Sequence, residues 1–185
     1  MRVLIVVDMQ NDFIDGALGT PEAAAIVDAV AERIANSRDE LILFTQDTHQ
    51  KDYLETAEGK KLPVVHCVQD TDGWKINRGV FDAWQANFET VRATDTDTMT
   101  DNTFLKPVFG STDLVDYLKS RSDEIDEIEI VGVCTDICVV SNALMIKNTL
   151  PDVPIRVNAA LCAGVTPQSH QEALNTMQMC HIDII

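Results

Sequence analysis

Val3-Leu4-Ile5-Val6-Val7, followed without a break by Asp8-Met9-Gln10-Asn11-Asp12-Phe13, is the stretch that decides the fold. Five consecutive apolar residues, most of them β-branched, leave no polar side chain for a solvent face. A strand tolerates this only when helices cover both sides of its sheet. The run then stops abruptly at an acid. Leu41 to Thr45, Ile128 to Val133 and Ile155 to Ala160 are mainly apolar and rich in β-branched residues, and are expected to be further buried strands.

Helical patterns lie between these runs. Pro21 to Asn36 starts with proline at a first helical position and carries Ala25, Ala29, Val30 and Arg33 at helical spacing. Ser111-Thr112-Asp113 provides a cap for a second helix reaching about Ser120. A third is expected from about Asp136 to Asn148, ending before Pro151. A fourth runs from Thr166 through Cys180 and leads into a closing strand, His181 to Ile185. The segment from Gln46 to Phe109 is long, polar and weakly periodic, and reads as excursions around one sheet edge rather than a second domain. Strands alternating with helices imply right-handed βαβ units. The expected fold is therefore α/β: an open, mostly parallel, doubly wound sheet with helices on both faces, in one domain over 1–185. In such sheets ligands bind beyond the carboxyl ends of the strands.

Composition narrows the function classes. The chain has 14 Lys+Arg against 30 Asp+Glu, a formal charge of −16, with 45% hydrophobic residues. That acidity repels nucleic-acid phosphates and anionic lipid surfaces. The apolar run at Val3–Val7 is far too short for a membrane span or a secretory leader, so a cytoplasmic protein without nucleic-acid or membrane partners is expected. Five cysteines, none in a Cys-x-x-Cys unit, read as reduced thiols, most of them packed in the core.

Three reactive side chains fall near strand ends. Asp8 ends the first run. Cys138, in Val131-Gly132-Val133-Cys134-Thr135-Asp136-Ile137-Cys138-Val139, sits just inside a helix that follows a strand, where free N–H groups and the helix dipole favour thiolate and can hold an oxyanion. Lys106 stands among Phe104, Leu105 and Val108, a setting that calls for a carboxylate partner. Each residue also has a plainer reading: strand-end solvation for Asp8, a core thiol for Cys138, and a lysine snorkelling to solvent for Lys106. Together they form a nucleophilic set in which Asp8 takes the thiol proton, Cys138 attacks and Lys106 balances Asp8. His170 and His181 fall away from this edge and read as structural or exposed. Asp47-Thr48-His49 projects two metal-ligand types to one side, with His66 on a following loop; polar loop residues are the alternative.

The strings VDMQNDF (7–13), FTQDTH (44–49), LPVVHCVQDTDGW (62–74), FLKPVFGST (104–112) and VGVCTDICV (131–139), in this order, resemble the isochorismatase-like cysteine hydrolases, and more closely their nicotinamidase-related branch. The resemblance spans nearly the whole chain. It implies Asp8, Lys106 and Cys138 as the catalytic triad, a cis Val133–Cys134 peptide, and an oxyanion hole from the backbone N–H groups of Cys134 and Cys138. It further implies a divalent metal (zinc, iron or manganese) on Asp47, His49 and His66, with Glu58 as fourth ligand and Glu55 as its rival. The implied partner is a small amide, nicotinamide or a close relative, hydrolysed through a thioester on Cys138; a homo-oligomer is also compatible. One departure stands out: the family's aromatic residue shortly before the second metal histidine is absent from Leu62-Pro63-Val64-Val65. Phe13 and Trp74 are the candidates for ring contact instead. The alternatives are a metal-free cysteine hydrolase of a carbamoyl or ureido compound, an isochorismatase-type hydrolase, and a non-catalytic module that keeps the fold.

Overall fold

The computed structural model describes residues 1–38, 40–91 and 101–185. Among these residues six strands form one parallel sheet: β1 (Arg2–Val7), β2 (Glu40–Asp47), β3 (Thr103–Lys106), β4 (Glu127–Val133), β5 (Ile155–Ala163) and β6 (Asp183–Ile184). Their order across the sheet is β3-β2-β1-β4-β5-β6. The interleaved helices are α1 (Asn11–Ile14), α2 (Pro21–Ala35), α3 (Arg78–Val91), α4 (Thr112–Ser120), α5 (Val140–Thr149) and α6 (Pro167–Met179).

Alternation along β1 divides the core. Val3, Ile5 and Val7 pack with α4, α5 and α6, whereas Leu4 and Val6 pack with α1, α2 and α3. Both faces are covered, which explains why the strand shows no polar period. The helix starts follow their caps: Thr20 accepts the Ala23 N–H, Ser111 accepts the Leu114 N–H, and Thr166 accepts the Ser169 N–H. The buried face of α2 is Ala23, Ile26, Val30 and Ile34 rather than the expected Ala25, Ala29, Val30 and Arg33. Two isoleucines remove more apolar area from water than two alanines, and this sets the rotation of the helix.

The described part of the 46–109 segment holds more regular structure than expected. It contains α3, which buries Val80, Trp84 and Asn87 at helical spacing, and the edge strand β3, parallel to β2 from Phe44 opposite Thr103 to Asp47 opposite Lys106. The part of that segment at 92–100 lies outside the described residues. The closing strand is only Asp183–Ile184. The helix expected from Asp136 begins instead as one π-helical turn, Thr135–Val139, before α5. Its cause is local: the Cys134 carbonyl accepts both the Ile137 N–H at 3.1 Å and the Val139 N–H at 3.0 Å, which widens the turn.

The order of strands reverses between β1 and β4. Val7 lies opposite Gly132, whose φ of 117° and absent side chain let the strands meet: a Cβ there would come within 2.2 Å of the Val7 carbonyl oxygen. This switch point places the chain segments after Val7 and Val133 side by side at the carboxyl edge, where open α/β sheets build their sites. Among the described residues no helix is long and apolar enough to cross a membrane.

Candidate active site

Four strand ends supply the site. Asp8 follows β1 with φ 48°, a left-handed turn that ends the strand and leaves its carboxylate fully buried. Lys106, last in β3 and 1% exposed, reaches across beneath the edge. Its Nζ lies 2.7 Å from Asp8 Oδ2, 3.3 Å from Asp47 Oδ1 and 3.4 Å from Cys138 Sγ. Cys138, 5% exposed, comes from the π-helical turn after β4. The structure thus brings together all three residues of the expected triad. Lys106 is paired and does not snorkel, because a buried ammonium needs opposite charge.

Sequence reading did not identify Thr45, whose hydroxyl donates to Asp8 Oδ1 at 2.7 Å. It fixes one carboxylate oxygen while Lys106 fixes the other. Only register reveals it: Thr45 is opposite Val7, so its side chain falls beside the next residue of the neighbouring strand.

Electrostatics correct one expectation. Burial, reinforced by the Asp8 charge and only partly opposed by Lys106, pushes the Cys138 thiol well above its ordinary pKa. The raised direction favours a neutral thiol at rest rather than the thiolate that a helix start favours, because burial disfavours the charged form. Burial likewise raises Asp8; the Asp47 charge adds to this, and Lys106 and Thr45 oppose it. A carboxylate displaced upward is a better proton acceptor for such a thiol. Burial lowers the affinity of Lys106 for its proton, but the Asp8 and Asp47 carboxylates more than compensate, and it stays charged. The Cys134 and Cys162 thiols are pushed by burial up to about 12 and have no base such as Asp8 aimed at them in the described contacts.

The metal-ligand types also converge. Ligand atoms of Asp47, His49 and His66 lie within 4.8 Å of one another, and all three residues are buried. Asp47 Oδ2 is 3.0 Å from His49 Nε2 and 3.6 Å from His66 Nε2. Ligands about 2.0–2.1 Å from a tetrahedral ion stand roughly 3.3 Å apart, so these separations suit a bound cation. Two further observations support the fit. His49 Nε2 is buried with no aligned hydrogen-bond partner among the described residues. His66 Nδ1 donates to the Val64 carbonyl at 2.8 Å, leaving Nε2 as the lone-pair nitrogen turned into the group. Burial raises the Asp47 carboxyl, but the closeness of the His49 and His66 rings and the charge of Lys106 outweigh it, holding the group well below the usual carboxylate range. Glu58 Oε1 stands 3.7 Å from His49 Nε2 and 4.0 Å from His66 Nε2, whereas Glu55 is exposed in the short 3₁₀ turn Tyr53–Glu55. Of the two rivals, Glu58 is beside the group.

Tyr53 was not singled out in the sequence, yet its buried ring lies 4.5 Å from His49 and 4.9 Å from His66, centroid to centroid, and its hydroxyl donates to the Leu62 carbonyl. An aromatic residue four positions after His49 was its only signal.

A cavity of about 270 Å³ opens over these groups, lined by Phe13, Leu18, Leu62, Phe109, Ile137 and Val165 together with Asp47, Glu58, His66, Cys134 and Cys138. Phe13 is therefore at the site, its ring 5.6 Å from His66. Trp74 is not. Its indole N–H donates to Thr48 Oγ1 at 2.9 Å, its carbonyl accepts from Gln10 and Gln46, and it faces a separate cleft with Asn11, Asp72 and Arg78. The Val133–Cys134 peptide is cis, and Cys134 and Cys138 line one cavity. His170 has a structural role: its Nδ1 pairs with Thr135 Oγ1 at 2.8 Å, tying α6 to the turn that carries Cys138.

Comparison with known proteins agrees with this geometry. The chain is 28% identical over 204 residues to a nicotinamidase/pyrazinamidase of Mycobacterium tuberculosis, covering 100% of this chain and 98% of that protein. It is 31% identical over 216 residues to a nicotinamidase of Escherichia coli, covering 96% and 90%. Among solved structures, the pyrazinamidase of Pyrococcus horikoshii in complex with zinc superposes with a TM-score of 0.75 at 26% identity, covering 100% of this chain and 98% of that one. The profile of the isochorismatase domain matches residues 2–185, and with the parallel sheet and its switch-point site this establishes that the chain belongs to the isochorismatase family.

Proposed function

We propose that the chain is a single-domain cysteine amidohydrolase that converts nicotinamide, or a close small amide, to the acid and ammonia. The observation that carries this reading is the buried contact of Lys106 Nζ with both Asp8 Oδ2 and Cys138 Sγ. Carboxylate, ammonium and thiol share one water-excluded pocket, and an amide-cleaving nucleophile needs this arrangement of base, counter-charge and sulfur. The amidase names of the related proteins point the same way.

The neutral thiol of Cys138 passes its proton to Asp8 as sulfur attacks the carboxamide carbon. The oxyanion is held by the backbone N–H groups of Cys134 and Cys138. Asp8 then returns the proton to nitrogen, the C–N bond breaks, and ammonia leaves a thioester on Cys138. Water, deprotonated by Asp8, cleaves the thioester and restores the thiol. Lys106 stays protonated throughout and favours the ionised form of Asp8 before each proton transfer to it. Asp47, His49 and His66, with Glu58 beside them, would hold a divalent ion, which when bound supplies a Lewis-acidic anchor for a ring nitrogen of the substrate. Phe13 borders the ring position, and the aliphatic Leu62 takes the wall where relatives of this branch are expected to carry an aromatic residue.

Isochorismate cleavage is the weaker reading. That substrate is a dianion, while the described lining residues offer the carboxylates of Asp47 and Glu58 and no lysine or arginine. Ammonia release from a panel of small amides, with and without chelator, tests the proposal. Nicotinamide turnover that falls on chelation and vanishes in Cys138→Ala is expected. Turnover retained in Cys138→Ala overturns the thioester, and full activity on a ureido compound in metal-free protein favours the metal-independent amidase.

A further inference from the structure

The polar string that ends β1 contains Gln10, whose side chain is fully buried. β1 and β2 pair residue by residue up to Val7 opposite Thr45, and the Asp8 N–H still donates to the Thr45 carbonyl at 3.2 Å. At Asp8 the chain turns out of the strand. The backbone of Asp47, two residues further along β2, is thereby deprived of its neighbour on that side, and buried backbone groups left unpaired are strongly unfavourable. Gln10 takes that place. Its Oε1 accepts the Asp47 N–H at 2.7 Å and its Nε2 donates to the Asp47 carbonyl at 2.9 Å, so one carboxamide serves both polar groups of one residue as an adjacent strand would. The remaining Nε2 hydrogen goes to the Trp74 carbonyl at 2.8 Å. The orientation of the amide is forced, since the Asp47 N–H only donates and the two carbonyls only accept.

We propose that Gln10 is a positioning residue for Asp47: its carboxamide extends the β1–β2 ladder past the end of β1 and so aims the Asp47 carboxylate. The inference rests on the reading of Asp47 as a metal ligand. One oxygen of that carboxylate faces His49 and His66, and the other lies 3.3 Å from Lys106 Nζ. A shift of the Asp47 backbone therefore moves both oxygens at once and disturbs the cation-binding group first, because its donor atoms must converge on one point. A methionine at position 10 matches the length of glutamine but pairs with neither backbone group.

The test is the zinc affinity of the chelator-stripped protein, read by competition with a chromophoric chelator at a temperature where circular dichroism shows each variant folded. Gln10→Met is expected to weaken zinc binding by about 10–100-fold, the usual effect of losing an outer support of a metal ligand. Asn87→Leu is the control for loss of a buried carboxamide: Asn87 bonds the Ile34 and Ser37 carbonyls away from the site, and its variant is expected to stay within about threefold of the parent. Should Gln10→Met not fold, Gln10→Asn, which keeps the carboxamide but is one methylene too short, is expected to show the same loss. Zinc affinity within about threefold of the parent in the folded Gln10 variant overturns the inference alone. A parent protein that takes up no zinc overturns the metal reading and this inference with it.

Discussion

Replacing Lys106 by methionine removes the only side chain that touches Asp8, Asp47 and Cys138 at once among the described contacts. Methionine fills most of the volume, so the change is chiefly electrostatic. Two buried carboxylates are left facing each other without their shared cation, and loss of one partner from a buried ion pair costs about 3–5 kcal/mol. For a chain of this size each kcal/mol lowers the unfolding temperature by roughly 2–4 °C, so a fall of about 6–20 °C is expected. The folded-state pKa of Lys106 is raised above its ordinary 10.5, so its contribution is complete below that pH and is lost only as pH rises through the folded value. Measurement near neutral pH therefore captures all of it. Function suffers separately. Lys106 opposes the rise of the Asp8 pKa; without it the pKa of Asp8 moves further up and less of the ionised base is present to accept the thiol proton, a loss of about 10²–10⁴-fold in turnover. Thermal unfolding by calorimetry at fixed zinc, paired with ammonia release, reads both effects. The double variant Lys106→Met/Asp8→Asn relieves the uncompensated charge and is expected to unfold at a higher temperature than Lys106→Met alone, still without activity. An unfolding temperature of Lys106→Met within about 2 °C of the parent, with more than about a tenth of its turnover, refutes the argument.

The remaining predictions concern single features. Cys138→Ala is expected to abolish ammonia release while changing stability by only about 1 kcal/mol, checked by turnover and denaturant midpoint. Asp8 must be ionised to act, and its pKa is raised, so the acid limb of the pH–rate profile should lie above the ordinary aspartate value of 3.8; a limb at or below that value contradicts the assignment. At the opposite end of the sheet, Arg33 reaches Glu40 at 2.9 Å and Glu129 at 2.7 Å. Burial raises the Glu40 carboxyl, but its hydrogen bonds with Arg33 and Ser37 outweigh this and set it below its ordinary 4.5. Its stabilisation is thus present above that pH and lost as pH falls through the folded value, and Glu40→Gln should flatten the pH dependence of unfolding in that window. Gly132→Ala forces a Cβ to within 2.2 Å of the Val7 carbonyl oxygen at φ 117°, so a loss of at least about 3 kcal/mol is expected from chemical unfolding.

The sequence by itself determined the parts whose cause is local. Val3–Val7 announces a covered strand because every position is apolar, Ile128–Val133 does so because Glu129 alone interrupts its apolar run, and Thr20-Pro21, Ser111 and Thr166-Pro167 mark helix starts because a cap and a first-turn proline act within a few residues. Strand ends then pointed to Asp8 and Cys138, and an ammonium amid apolar neighbours pointed to Lys106. β3 and α3 were obscured. One is a four-residue edge strand ending in lysine, and the other places Asn87 on its buried face, so neither carries a clean apolar period. What only the tertiary structure decided depends on neighbours far apart in the chain. The thiol of Cys138 is pushed upward by exclusion of water and by Asp8, which is supplied by a distant strand end. Trp74 leaves the cavity because its polar atoms are engaged by Thr48, Gln10 and Gln46. Thr45 and Gln10 acquire their roles from strand register, and Tyr53 from a loop folding back on two histidines. Periodicity records whether a side chain is buried; it holds no record of which charge or hydrogen-bond partner the fold brings against it, and those partners are what make the cluster reactive.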